Sequence, residues 1–361
     1  MKVPESFLAE FEAAKARDIA QSGDEDIYGE RLWSFAESRH SPDVAYPPFG
    51  FVAFPGLLHL DHGQGDYDGF YWPIGREDQE PLVARTAHYQ FGMIPIASSW
   101  EKYQELRAWG EARYEEEKER EEFGEEARSI NTEEALAERL AVDPGSPYLL
   151  TAMADVASAA GDVDRAEALY RQALDRIPEY TAARIGLALL LRRNRRGVEA
   201  LGQMLKALRS PIPLWGTFGF SNEALPTDRV NRDDYRRKFL DWIQRTKPTA
   251  AGEHADDPLY QARDRLTFAT GVKENDDYKV YGELIDAYIA RGEPIEAVGL
   301  AMVYNELMVG ETVSFREREA DTETTQRARL MKTLQAAGLT PRAEWLASLP
   351  EPSSTSGPRI A

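Results

Sequence analysis

The feature that most constrains this chain is an internal repeat of 34 residues. With Pro178 at position 32 of such a block, Leu150, Met153, Ala154 and Ala157 fall on a first helix, Gly161 on a turn, and Ala166, Tyr170 and Ala173 on a second helix. The next 34 residues repeat the pattern with Leu187, Ala188, Leu191, Ala200, Met204 and Ala207. Alanines at positions 8 and 20 let two helix backbones approach closely, while bulky residues at positions 4, 7 and 24 fill the space between hairpins. A unit this small cannot bury its apolar face alone, so neighbouring hairpins must stack.

These positions resemble the tetratricopeptide repeat. The resemblance covers about residues 130–214 well and 279–349 more loosely, with Leu284, Ile285, Tyr288, Gly292, Ala297 and Ala301 as a third hairpin and Leu330, Met331, Leu334, Gly338 and Ala343 as a fourth. Asn131–Pro144 reads as a lone second helix with its terminal proline. An all-α array over 131–349 is therefore predicted. Residues 215–278 depart from the period: an aromatic loop at Trp215–Phe220, a helix around Tyr235, Phe239 and Trp242, and a polar linker from Thr249 to Asp257. The tail, 350–361, has the composition of a disordered segment.

Residues 1–110 read differently, as an α+β domain with an antiparallel or mixed sheet. Phe7, Leu8, Phe11 and Ala14 have helical spacing, and Gly23 breaks that helix. Short aromatic and β-branched runs follow, at Phe49–Phe54, Leu57–His62, Asp68–Ile74, Pro81–Thr86 and Met93–Ile96, with Gly63-Gln64-Gly65 as a hairpin turn. Ser98 and Glu101 have the spacing of a capping box at the start of a helix. The segment 111–130 is dominated by glutamate and is predicted to be an acidic linker helix, at which proteolysis would separate two folding units.

The N-terminal part resembles the SUKH superfamily. The residues that carry this are Gly65-Asp66-Tyr67-Asp68-Gly69, the run Tyr71-Trp72-Pro73-Ile74-Gly75, Glu80-Pro81, and the Pro95–Ser99 stretch before the helix. The resemblance implies a binding domain without catalysis. Bacterial members commonly act as immunity proteins against polymorphic toxins, many of them nucleases or deaminases, and fungal relatives act as regulatory hubs.

Charge bears on the partner. Residues 1–98 carry 16 acidic and 7 basic side chains and residues 99–142 carry 14 and 7, so the first 142 residues hold −16 of the chain's net −19. Such a field repels nucleic acid and accelerates encounter with a basic protein. The chain has no cysteine, which excludes disulfides, thiolate metal sites and cysteine nucleophiles. No run reaches the roughly 18 apolar residues of a membrane span, and a cytoplasmic protein is expected.

Three chemical constellations fail on spacing. His59 and His62 would point to opposite faces of a strand; Gly63-x-Gly65 has neither the third glycine nor the lysine of a phosphate loop; Ser99-x-x-Lys102 has no Ser-Asp-Asn or Lys-Thr-Gly partner motif. No catalytic residue, cofactor or metal is predicted. The expected contact residues are Asp66, Tyr67, Asp68, Tyr71 and Trp72 on the hairpin and Glu115, Glu116, Glu117, Glu121 and Glu122 on the acidic segment. Two functions fit: neutralisation of a cognate basic toxin by an immunity protein, or a scaffold whose repeats hold peptide segments of a cellular partner.

Overall fold

The computed structural model describes residues 2–10, 13, 57–59, 66–87, 93–122, 132–211, 232–268, 276–309 and 323–348. The expected strand at 49–54, the turn at 63–65, the aromatic loop at 215–220 and the tail lie outside these residues.

Four strands, β1 (Leu57–His59), β2 (Asp66–Tyr71), β3 (Leu82–Ala87) and β4 (Met93–Ala97), form one antiparallel sheet in that order. Side chains alternate across it. Phe70 and Val83, with Trp72 just beyond β2, meet Val3, Phe7 and Tyr103 in a small aromatic core. Tyr71, Leu82 and Ala84 face the other way, into the core of the helical array. Met93 and Ala97 would share a face in a regular strand. An extra residue in β4, opposite Val83–Arg85, inverts the alternation, so Met93 joins the array side and Ala97 the small core.

Helix α1 (Trp100–Glu122) follows directly. Its cap is Ser99, whose Oγ accepts from the Lys102 N–H at 3.2 Å. Ser98, expected to do this, instead donates from its N–H and Oγ to Asp143, at 2.7 and 2.5 Å. The helix runs without a break past residue 110, so the acidic segment continues the last helix of the sheet region.

The array comprises α2 (Glu133–Val142), α3 (Pro147–Ala160), α4 (Val163–Arg176), α5 (Thr181–Arg193), α6 (Gly197–Arg209), α7 (Arg232–Arg245), α8 (Asp277–Ala290), α9 (Pro294–Val309), α10 (Glu323–Ala336) and α11 (Thr340–Ser348). The pairs α3/α4, α5/α6, α8/α9 and α10/α11 are the four hairpins, and α2 is the lone helix before them. Except for Met331, which is half-buried, every apolar position assigned from the period is buried. Thr132, Ser146 and Asp162 cap α2, α3 and α4 with side-chain oxygens.

Position 15 of the block shows why the period holds. Gly161, Gly292 and Gly338 occupy it in three hairpins with φ of 82°, 81° and 70°, the left-handed turn that glycine enters at little cost. In the second hairpin the same position is Arg195, with φ 61°.

The predicted linker Thr249–Asp257 is packed structure. Pro248–Ala251 and Pro258–Ala262 are short helical turns, and His254 lies against Gly202 of α6 so closely that a Cβ there would come within 2.7 Å of the imidazole. Asp257 caps the second turn and reaches Arg209 at 2.6 Å. Where α9 crosses the end of α6, a Cβ on Gly299 would stand 2.3 Å from the Arg209 carbonyl oxygen, so only glycine fits.

Candidate protein-binding surfaces

The predicted contact residues divide by burial. Tyr71 is 0% exposed and Trp72 is fully covered as well. Both belong to the core, which removes them from any contact surface: with one sheet face on the array and the other on Val3, Phe7 and α1, neither side of β2 is left to present an aromatic. Burial and the nearby Glu179 carboxylate push the Tyr71 phenol well above its ordinary value, so it serves as a neutral hydrogen-bond donor.

Asp68 is half-buried and already engaged. Arg85 donates to both of its oxygens, at 2.8 and 3.1 Å, and the Tyr103 hydroxyl donates to it at 2.5 Å. Burial and the Asp68 charge raise the Tyr103 phenol. The Asp68–Arg85–Tyr103 group therefore ties β2 and β3 to α1. The side chains of Asp66 and Tyr67 lie outside the described residues, although both positions are in β2.

The acidic helix is the exposed part. Glu115 and Glu116 face solvent, and Glu117, Glu121 and Glu122 lie on the same helix, with side chains outside the described residues. Among exposed large apolar residues, Tyr114 of α1 stands out at 68%. Ala108, Gly110 and Ala112 are small, and together with Tyr114 they line a shallow groove edged by Arg107, Glu111 and Glu115. Ion pairs such as Arg107–Glu111 and Arg113–Glu116 are surface contacts that leave most of these carboxylates accessible.

Two polar networks were not foreseen in the sequence. In the array, Arg209 donates to Asp257 and to the Tyr288 hydroxyl, both at 2.6 Å, and pairs with Glu296 at 2.8 Å. Although burial opposes the charged form, these neighbours hold the Arg209 guanidinium above its ordinary value. Nearby, Arg184 donates to Gln203 at 2.8 Å and to the Pro178 carbonyl, and burial lowers its pKa to about 10. The second network joins the sheet to the array. Glu179, in the loop between α4 and α5, accepts from the Tyr71 hydroxyl at 2.5 Å and from the Ile74 N–H at 2.7 Å. Arg342 of α11 donates to Glu77 and to the Trp72 carbonyl. Isolated acids and arginines gave no periodic signal, which is why the sequence did not reveal them.

This geometry, hairpins stacked on a small sheet with an exposed acidic helix between, can be set beside known proteins. Residues 87–263 match a tetratricopeptide repeat family model. Residues 36–120 match the YfbP N-terminal domain and residues 268–336 the YfbP C-terminal domain. The chain is also similar to the uncharacterized protein YfbP of Escherichia coli (strain K12), 28% identical over 279 residues, which cover 76% of this chain and 83% of that one. The repeat match confirms the hairpins around α3–α6. The looser third hairpin and most of the fourth fall within the YfbP C-terminal domain match. Over the segment with the SUKH-like motifs, the matching family model is the YfbP N-terminal domain. Repeats of the tetratricopeptide kind are protein-interaction scaffolds. Among the described residues no helix is long and apolar enough to cross a membrane, and no cluster of three or more metal-ligating side chains occurs.

Proposed function

We propose that this chain is a non-enzymatic protein-binding scaffold whose partner carries a basic surface. The observation that carries the reading is the position of α1. A helix with nine acidic and five basic side chains, Trp100–Glu122, leaves the sheet with Glu115, Glu116 and Tyr114 in solvent, beside an array of hairpins suited to holding protein segments. An exposed tyrosine within a charged rim is a common interface arrangement. Within this class, a basic toxin domain is the narrower reading, supported by the −16 of the first 142 residues and by the SUKH-like motifs.

The test is affinity capture from the native host with the intact chain and with a variant in which Glu115, Glu116, Glu117, Glu121 and Glu122 are all lysine. The expected result is a basic partner lost by the variant, with association that slows as salt screens charges beyond about 8 Å. Equal capture by both proteins at low and high salt would exclude the acidic helix as the contact. Protection of a sensitive strain against that partner, abolished by the same reversal, would establish the toxin reading.

A further inference from the structure

In a stacked array each hairpin ordinarily touches only its neighbours. Here the last hairpin returns to the beginning. Arg342 of α11, 265 residues beyond Glu77, is 0% exposed and donates to the Glu77 carboxylate and the Trp72 carbonyl, at the turn between β2 and β3. The same turn is held from its other side by Glu179, which accepts from the Ile74 N–H and the Tyr71 hydroxyl. The turn thus lies between two hairpins of the array and offers them main-chain N–H and C=O groups, buried apolar side chains and one carboxylate. A bound peptide segment offers the same groups.

The chemistry of the closing contact makes it specific and reversible. A buried guanidinium is costly unless paired, so the α11 position that satisfies Arg342 is narrowly defined. On release, Arg342 and Glu77 both regain hydration, so opening forfeits much less than the opening of an apolar seam. The sheet does not depend on this contact alone. Ser98–Asp143 and the Ser146 hydroxyl on the Ile96 carbonyl, at 3.1 Å, hold it to the α2–α3 loop, and Glu179 holds it to the α4–α5 loop.

We propose that the turn Trp72–Glu77 is an internal ligand of the array, and that release of Arg342 from it opens the α10–α11 hairpin to admit an extended, carboxylate-bearing segment of a partner protein. This rests on the scaffold reading and adds an autoinhibited state to it. A closed fraction lowers the apparent affinity for an outside segment by the fraction that is open.

The experiment uses the full chain, a fluorescein-labelled peptide with the sequence of residues 68–80, and hydrogen exchange read by mass spectrometry. Glu77→Gln removes the internal carboxylate and leaves Arg342 free for the peptide. Expected are peptide binding at least about tenfold tighter than to the unaltered chain, and faster exchange in α11 while α5 and α6 stay protected. Arg342→Met, which opens the hairpin but removes the anchor, should show the faster exchange without the gain in binding. If Glu77→Gln does not fold, Arg342→Lys takes its place: it keeps the cation but cannot serve both acceptors, so faster α11 exchange is again expected. Unchanged α11 exchange in the variants, or exchange rising equally in α5, α6 and α11, would overturn the latch. So would a folded Glu77→Gln protein that binds the peptide no better than the unaltered chain. The lysine reversals in α1 leave these contacts intact, so loss of charge-dependent capture and loss of the latch are separate outcomes.

Discussion

Arg195 illustrates how one residue can break a rule that its neighbours in the period obey. At position 15 the chain must turn with positive φ, and glycine does so in three hairpins while Arg195 does so at φ 61°. A left-handed L-residue costs about 1–2 kcal/mol, part of which glycine returns through its freer unfolded chain, about 0.4–1 kcal/mol. Arg195→Gly is therefore expected to stabilise the protein by about 0.5–1 kcal/mol, read as a higher denaturant midpoint at unchanged slope. A lower midpoint would mean that Arg195 makes a contact worth more than its backbone strain. Gly186 shows the opposite use of the residue. It has no turn to make, but a Cβ there would stand 2.3 Å from the Tyr170 ring, whose hydroxyl bonds Asp155 at 2.5 Å.

At the scale of the elements, helical register decides which substitutions matter. Ala166 is 0% exposed where α4 meets its neighbours, and a tryptophan there should cost about 1–3 kcal/mol or more because a filled core must give way. The adjacent Glu167, expected in solvent, receives Arg171 at 2.6 Å and also Arg196 from the next hairpin. Those arginines hold its carboxyl below the ordinary range against a small opposing effect of burial. Because the network lies at the surface, Glu167→Ala should cost no more than about 1 kcal/mol. Thermal melts of the two variants test the register, and equal losses would contradict it. The hairpins were legible in the sequence because small residues recur at fixed positions and one turn residue type repeats. The sheet was legible from alternation and from its turns. What escaped were contacts that have no period: Asp143 with Ser98, Glu179 with Tyr71, Arg342 with Glu77. Tyr71 and Trp72 were mistaken for contact residues because alternation tells which side a residue faces, not whether both sides are covered.

In the whole molecule, those aperiodic contacts determine whether the sheet and the array are one unit. Tyr71, Leu82, Ala84 and Met93 lie in the same apolar core as α3–α6, so separating the two parts would expose them to water at roughly 25 cal/mol per Å². Glu179 sits in this seam. Burial raises its carboxyl pKa, against the lowering effects of the Tyr71 hydroxyl, the Ile74 N–H and Arg342. Because the folded value lies above the unfolded one, ionising Glu179 opposes folding. Its contribution is fully present below the unfolded pKa and is lost as pH rises through the raised folded value. Glu179→Gln keeps a carbonyl oxygen for Tyr71 and Ile74, and its amide takes the place of an oxygen that has no hydrogen-bond partner among the described residues. The unaltered chain should therefore gain stability relative to Glu179→Gln as pH is lowered from neutrality toward the ordinary glutamate range. Urea midpoints of both proteins across that range measure the difference. Tryptophan fluorescence, which senses Trp72 and Trp100 beside the sheet, and helical circular dichroism should give the same midpoint at every pH. Two separated transitions, with the pH dependence confined to the first, would instead place the sheet in a unit that unfolds before the array.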